Sequence, residues 1–443
     1  MTRTIEMIYR AKYVMPISGD IIENGEVLVD GELIGAVGYG LSQLYPNESV
    51  TDLGDCALMP GFVNAHSHID YTLSRNTRDG LNFWDWIDAV GFRKGKTLPY
   101  EVILASARLG AAELALSGVT CLGDSSFSGA AAEAIAGLGL RGVVYKELFG
   151  QSMGDDWPEQ CREALDNVSR MQQRLPQQVR MGLSPHAVYT SNPEVLRFCA
   201  DSGLPVAMHA AETDAERDYC LSGTGPIAEW RIKLGCRAMI SGKTPIRVIE
   251  DAGLLKPGVC LAHCVAVDED EIAAIGLSGA GVAHCPRSNA FLGVGTAPIR
   301  ELIDAGAYVG LGTDSAGSCG RLDFGEEMRF ALSLARARAK DAGVMTAKDM
   351  LRMATQGGAR VLGLDDRTGR LEAGMRADMV AIDLRWKLPE EDIYLAVLNS
   401  SPHDVALALV DGVEVVRDGR LVQADMDELR AELKDALGSL TVG

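Results

Sequence analysis

From residue 58 to residue 314 the sequence alternates short apolar runs with longer helix-patterned segments, a rhythm that few folds accommodate. The runs are Leu58–His66, Val119–Asp124, Gly142–Glu147, Val179–His186, Pro205–His209, Val259–His263, Gly281–His284 and Tyr308–Asp314. Between them lie segments such as Glu101–Ser117, Pro193–Ser202 and Asp268–Leu277, rich in Ala, Leu and Glu at helical spacing. Eight strands with intervening helices in about 260 residues predict an α/β fold, a (β/α)8 TIM barrel. The competitor is a doubly wound open sheet. It calls for a glycine-rich phosphate turn after the first strand, and none follows Leu58–His66.

The chain ends differ from this middle. Residues 1–57 read as short strands punctuated by glycine, at Ile5–Val14, Gly25–Gly31 and Leu33–Val37, with no convincing helix. After the helical stretch Ala347–Leu362 strand patterns return at Ala377–Asp383, Val405–Val410 and Val413–Val416. The expected organisation is a small β-sandwich domain formed by both chain ends (1–57 and 367–423) around a barrel (58–366). A terminal helix and tail follow over 424–443, with Leu429, Leu433 and Leu437 on one face. Two long connections, 69–100 and 213–250, are candidates for functional loops.

The formal charge of −19 argues against a polymeric nucleic acid or an anionic membrane surface as partner. Ten cysteines include no C-x-x-C pair, and several sit inside apolar runs, so reduced, buried thiols are expected. The first residues lack the apolar core of a signal peptide, and no run is long enough to span a membrane. These points predict a cytoplasmic protein, expected to be a homo-oligomer acting on a small molecule.

Six of the seven histidines fall at or beside the C-terminal ends of apolar runs: His66, His68, His186, His209, His263 and His284. Only His403 lies elsewhere. A lone histidine beside an apolar run is usually a satisfied core residue. Six at strand ends point instead to a shared site, because barrel active sites gather there. His66 and His68 are two apart on one strand and so face the same side. With His209 and Asp314 they make three imidazoles and a carboxylate, a catalytic zinc-type set that iron or manganese would also accept. Glu212, three residues after His209, is placed to shuttle protons to a ring nitrogen. Its bland alternative is a helix-start glutamate favoured by the dipole. His263 is open to two roles, metal ligand or hydrogen-bond partner of the attacking water. His186, His284 and Asn289 are candidates for substrate contact or for structural support. Trp86, with Phe83 and Trp84, is a candidate stacking or lid residue, as is Trp230.

Pro60-Gly-Phe-Val-Asn-Ala-His66-Ser-His68, His209-Ala-Ala-Glu212, His263-Cys, His284-Cys-Pro-Arg-Ser-Asn289 and Gly312-Thr-Asp314-Ser together resemble the amidohydrolase superfamily, in its mononuclear branch of deaminases and chlorohydrolases. The resemblance implies that His66, His68, His209 and Asp314 hold one divalent metal, most simply Zn2+ with Fe2+ as the alternative. It implies that Glu212, His263 and Asp314 are catalytic. Leu183-Ser-Pro-His186 and Leu73-Ser-Arg75 are similar to their counterparts in S-adenosylhomocysteine/methylthioadenosine and aminodeoxyfutalosine deaminases. The implied activity is hydrolytic deamination of a purine-type ring in an adenosine-derived nucleoside. Alternatives are aminohydrolysis or chlorohydrolysis of an s-triazine, guanine, pterin or cytosine, and binuclear amide or cyclic-imide hydrolysis. The last needs a bridging lysine or glutamate ending the fourth strand. That strand ends Ser184-Pro-His186, although Lys146 and Glu147 end the third. The run Ser315–Asp323 departs from the pattern of many relatives.

Overall fold

The computed structural model describes residues 6–91, 98–150, 156–236 and 240–439. The chain opens with β1 (Glu6–Val14), β2 (Ile22–Asp30), β3 (Leu33–Gly38), β4 (Ser49–Asp52) and β5 (Cys56–Pro60). Eight strands then follow in parallel: β6 (Phe62–Ser67), β7 (Val119–Ser126), β8 (Arg141–Leu148), β9 (Val179–Pro185), β10 (Val206–Ala210), β11 (Val259–His263), β12 (Gly281–His284) and β13 (Tyr308–Leu311). They lie side by side in chain order, with helices between them. The seam between β13 and β6 is closed by polar groups. The Asp314 N–H donates to the His66 carbonyl at 3.0 Å. Asn64 donates to the Thr313 hydroxyl at 2.8 Å and accepts the Thr313 N–H at 3.1 Å. This closure brings the last strand end against the first, and with it Asp314 against the H-x-H pair.

Val63, Ala65, Cys121, Val143, Tyr145, Ala207, Cys260 and Ala283 fill the barrel interior, floored by Ala359, Val361, Leu362 and Leu364. Cys121 and Cys260 are therefore packing residues, and all ten cysteines are free thiols.

β14 (Met379–Asp383), β15 (Val405–Val410), β16 (Val413–Arg417) and β17 (Arg420–Leu421) pair with the N-terminal strands into one nine-stranded mixed sheet, in which β14 lies antiparallel to β5. Both chain ends thus share a core that includes Tyr9, Val27, Leu58, Met379 and Leu407. Arg141, 2% exposed, fastens the barrel to this sheet. It donates to Asp378 at 2.5 and 3.0 Å and to Asp411 at 2.5 Å. The terminal helix Met426–Ser439 buries Leu429 and Leu433 and packs on Tyr100–Leu116, with Leu437 partly buried. No helix among the described residues is long and apolar enough to cross a membrane.

One expectation is corrected and two are refined. The run Leu58–His66 is two strands in different sheets, turning at Gly61, where a Cβ would lie 2.1 Å from the Thr120 hydroxyl. The N-terminal region contains one short helix, Leu41–Leu44. The helical stretch Ala347–Leu362 is interrupted by a π-turn at Met353–Gly357. There Gly357 and Gly358 press on the Val309 and Val63 carbonyls, as close as 2.4 and 2.5 Å from an added Cβ.

Candidate active site

His66 and His68 leave the end of β6, His209 comes from β10, and Asp314 lies three residues beyond β13. All four are buried, and one ligand atom from each lies within 4.8 Å of the others. Gly312 permits this approach, since a Cβ there would sit 2.9 Å from the His66 Cβ. Asp314 (φ 57°), Ala211 (φ 48°) and His263 (φ 76°) hold left-handed backbone, strain that only a well-determined site sustains.

The imidazole tautomers show what the cluster is built for. A carbonyl can only accept, so His68 Nδ1–H donates to Ser125 O at 2.8 Å and His209 Nδ1–H donates to His186 O at 2.9 Å. Burial lowers both rings, His68 to about 4, so both are neutral. Their lone pairs then sit on Nε2, and the two Nε2 atoms face each other at 3.0 Å. His66 Nε2 is buried with no hydrogen-bond partner. Asp314 Oδ1 lies 3.8 Å from His66 Nε2 and 3.6 Å from His68 Nε2. Converging lone pairs beside one carboxylate, with each outer N–H of His68 and His209 anchored, are the donor set of a divalent metal site. The Ser288 hydroxyl steadies Asp314 Oδ2 at 2.5 Å.

Two further groups face this cluster. His263 ends β11, and its Nδ1–H donates to Asn289 Oδ1 at 2.8 Å. Burial lowers His263 to about 4, and its Nε2 has no hydrogen-bond partner. That atom lies 3.6 Å from Glu212 Oε1. Glu212 follows β10 on the left-handed turn at Ala211, and its N–H donates to Glu216 Oε2 at 2.8 Å. Burial first, and then the charges of Asp314 and Glu216, push the Glu212 carboxyl well above the usual range. Glu212 is thus a buried carboxyl whose proton is held more tightly than an ordinary glutamate's.

The cluster floors a cavity that opens to solvent. Phe83, Trp86, Ile87, Phe149, Tyr189 and Leu292 form its apolar walls. Trp86 Nε1 is buried without a partner, and a Cβ on Gly317 would lie 3.1 Å from the Trp86 ring. Trp84 instead packs on Phe83, Tyr189 and Trp230, at centroid distances of 4.7, 5.3 and 6.4 Å. His186 lines the cavity beside Phe149 and bonds the Thr190 hydroxyl at 2.8 Å. His284 and Asn289 do not line it. Arg75 turns away to chelate Glu113.

The end of β8 faces two ways. Lys146 donates to the Phe127 carbonyl, while Glu147 lines the cavity, 3.8 Å from His68 Nδ1. Burial raises the Glu147 carboxyl to about 8. Sequence reading weighed Glu147 only as a metal bridge and did not single out Tyr189, Phe149, Leu292 or Ser288. Its rule that strand ends face the site reaches Glu147. Nothing marks the three cavity-wall residues apart from ordinary core. Residues 92–97 and 237–239 of the two long connections, and 440–443 of the tail, lie outside the described residues.

The amidohydrolase family model matches residues 57–415. The 5-methylthioadenosine/S-adenosylhomocysteine deaminase of Nitratidesulfovibrio vulgaris (strain DP4) is 34% identical over 429 residues, covering 94% of this chain and 92% of its own. Its namesake from Moorella thermoacetica is 31% identical over 430 residues, covering 95% and 96%. Among solved structures, an adenosine deaminase from Xanthomonas campestris with bound zinc aligns with a TM-score of 0.85 at 26% identity, over 99% of both chains. Atrazine chlorohydrolase from Arthrobacter aurescens TC1, complexed with zinc, gives 0.84 at 25% identity, over 97% of this chain and 99% of that one.

Proposed function

Because the chain belongs to the amidohydrolase family, we propose that it hydrolytically deaminates an amino-substituted purine-type ring in an adenosine-derived nucleoside. The observation that carries this reading is Glu212, a buried carboxyl in the cavity wall beside the histidine–aspartate cluster and 3.6 Å from His263 Nε2. Loss of an amine needs such an acid, whereas loss of chloride does not. The substrate class draws support from relatives named for adenosine-type substrates.

His66, His68, His209 and Asp314 would hold one divalent ion. Zinc is favoured by the zinc-bound solved neighbours, and iron(II) suits the same donors. When bound, such an ion supplies Lewis acidity, which brings the ionisation of water toward neutral pH. Glu212 protonates the ring nitrogen beside the amino-bearing carbon as water adds to that carbon. Asp314 accepts a proton from the water, and His263, fixed by Asn289, orients it. The hydroxyl proton of the adduct passes through Glu212 to the amine, which departs as ammonia and leaves a ring carbonyl, and transfer of the proton held by Asp314 restores Glu212. Trp86 and His186 hold the remainder of the substrate. Asn289 is a positioning residue acting through His263.

The reading includes a cytoplasmic homo-oligomer with no nucleic-acid partner. Ten free cysteines support a reducing compartment. Exposed Tyr39, Leu44, Tyr45 and Val50 support self-association, and the charge of −19 supports repulsion of polyanions.

The test is ammonia release from the metal-loaded protein over adenosine and its 5′-modified derivatives, with guanine, cytosine, pterins and s-triazines alongside. Release from an adenosine derivative is the expected result. Release only from a triazine, or from no purine nucleoside, refutes it.

A further inference from the structure

Glu147 is used by none of the steps above, yet it occupies the same cavity. Its side chain is 2% exposed, and its Oε2 accepts no hydrogen bond. The neighbouring His68 Nδ1–H already donates to Ser125 O at 2.8 Å, and lies 3.8 Å from Glu147 Oε1. Glu147 is not in the four-residue donor cluster. The adjacent Lys146 is turned to the Phe127 carbonyl. A carboxyl buried this way, in a cavity wall, leaves its lone pairs unmatched until something entering the cavity supplies a donor. It sits on the third barrel strand, three strands round from His263 on the sixth. A ring held with its reacting edge at Glu212 and His263 therefore turns another part of the substrate toward Glu147.

Resting on the reading above, we infer that Glu147 is a specificity-determining residue that accepts a hydrogen bond from a neutral O–H or N–H of the substrate, away from the amine that is lost. Two sources share that chemistry, a sugar hydroxyl and a second ring amine. Phe149, two residues on along the chain, offers an apolar surface beside it.

The experiment uses the metal-loaded protein and its Glu147→Leu and Glu147→Ala variants, both of which remove the acceptor. The sugar arm compares adenosine with its 2′-, 3′- and 5′-deoxy forms. The ring arm compares 2,6-diaminopurine riboside with adenosine. Metal per chain is measured for each variant, and dissociation constants of the hydroxyl-bearing and deoxy deaminated products give a readout independent of turnover.

The expected result is a loss of about 10- to 100-fold in kcat/KM for substrates carrying one particular donor. Analogues lacking that donor fall by less than about threefold, metal content is unchanged, and product affinity follows the same split. Which arm shows the split identifies the donor. An equal loss for every substrate, or no loss, overturns the inference, as does loss of metal from the variants. If the wild type deaminates no purine nucleoside, the functional reading falls first, and that outcome is visible before any variant is made.

Discussion

Replacing Glu212 by Gln keeps the side chain's size and shape while preventing it from giving and regaining a proton. The contacts of its carboxyl allow this exchange without disturbing the fold. His263 Nε2, at 3.6 Å, is beyond hydrogen-bond range, and the hydrogen bond to Glu216 comes from the Glu212 backbone N–H. A positioned general acid contributes roughly 10²–10⁴-fold, which at about 1.4 kcal/mol per decade is some 3–5.5 kcal/mol of barrier. The upper half of that range is expected here, because no neighbour can substitute. His263, lowered to about 4, is neutral at pH 7 and carries no proton on Nε2, while Glu216 is committed to the Glu212 backbone. Burial raises the Glu212 carboxyl, so the alkaline decline of wild-type kcat/KM, as that proton leaves, should lie above the ordinary carboxylate range. The residual activity of the variant should lack that decline. A coupled ammonia assay across pH, with elemental analysis for metal and a thermal melt, reads all three quantities. Activity within threefold of wild type would refute the acid role. A proportionate loss of metal would make Glu212 a ligand instead.

Removing the metal with a chelator should lower Tm and abolish turnover. A ligand at 1,000 times its Kd contributes about 4 kcal/mol to the folded state, and zinc should restore both properties; an unchanged melt would contradict the proposed donor set. Asn289→Ala should cut kcat by about 10- to 100-fold with metal content nearly intact, because it frees the His263 ring from its tautomer-fixing partner. Arg141→Met should destabilise the fold by about 3–5 kcal/mol in denaturant titration, since it strands the fully buried Asp378. Glu216, raised to about 8 by burial from 4.5, keeps in the folded state a proton that the unfolded chain releases. Wild-type stability should therefore fall as pH rises from 4.5 to 8, and Glu216→Gln should flatten that slope in melts of the metal-free protein.

The clustering of His66, His68, His209 and Asp314 was legible because its logic is local in sequence and its assembly is dictated by topology. Histidines two apart on a strand share a side, and a closed ring of parallel strands brings all their C-terminal ends to one mouth. The seam between β13 and β6 did the rest, through a hydrogen bond from Asp314 to His66 across some 250 residues of chain. The sharp break at Gly61 was not legible. What forbids a side chain there is Thr120, on a strand that lies alongside only after the ring closes. The same holds for the cavity walls. Phe149, Tyr189 and Leu292 have the composition of ordinary core, and only the path of each loop decides that they face a ligand.

Lys146 and Glu147 put the difference most simply. They are adjacent, both polar, and both end the same strand. The pleat allows only one of them to face the cavity, and its register with β9, which pairs Glu147 with Ser184, belongs to the folded sheet. The chemistry of this protein is thus written at strand ends, where a sequence can be read. Which of two adjacent strand-end residues faces the cavity depends on register, which is why the sequence offers Lys146 and Glu147 together and only the folded sheet separates them.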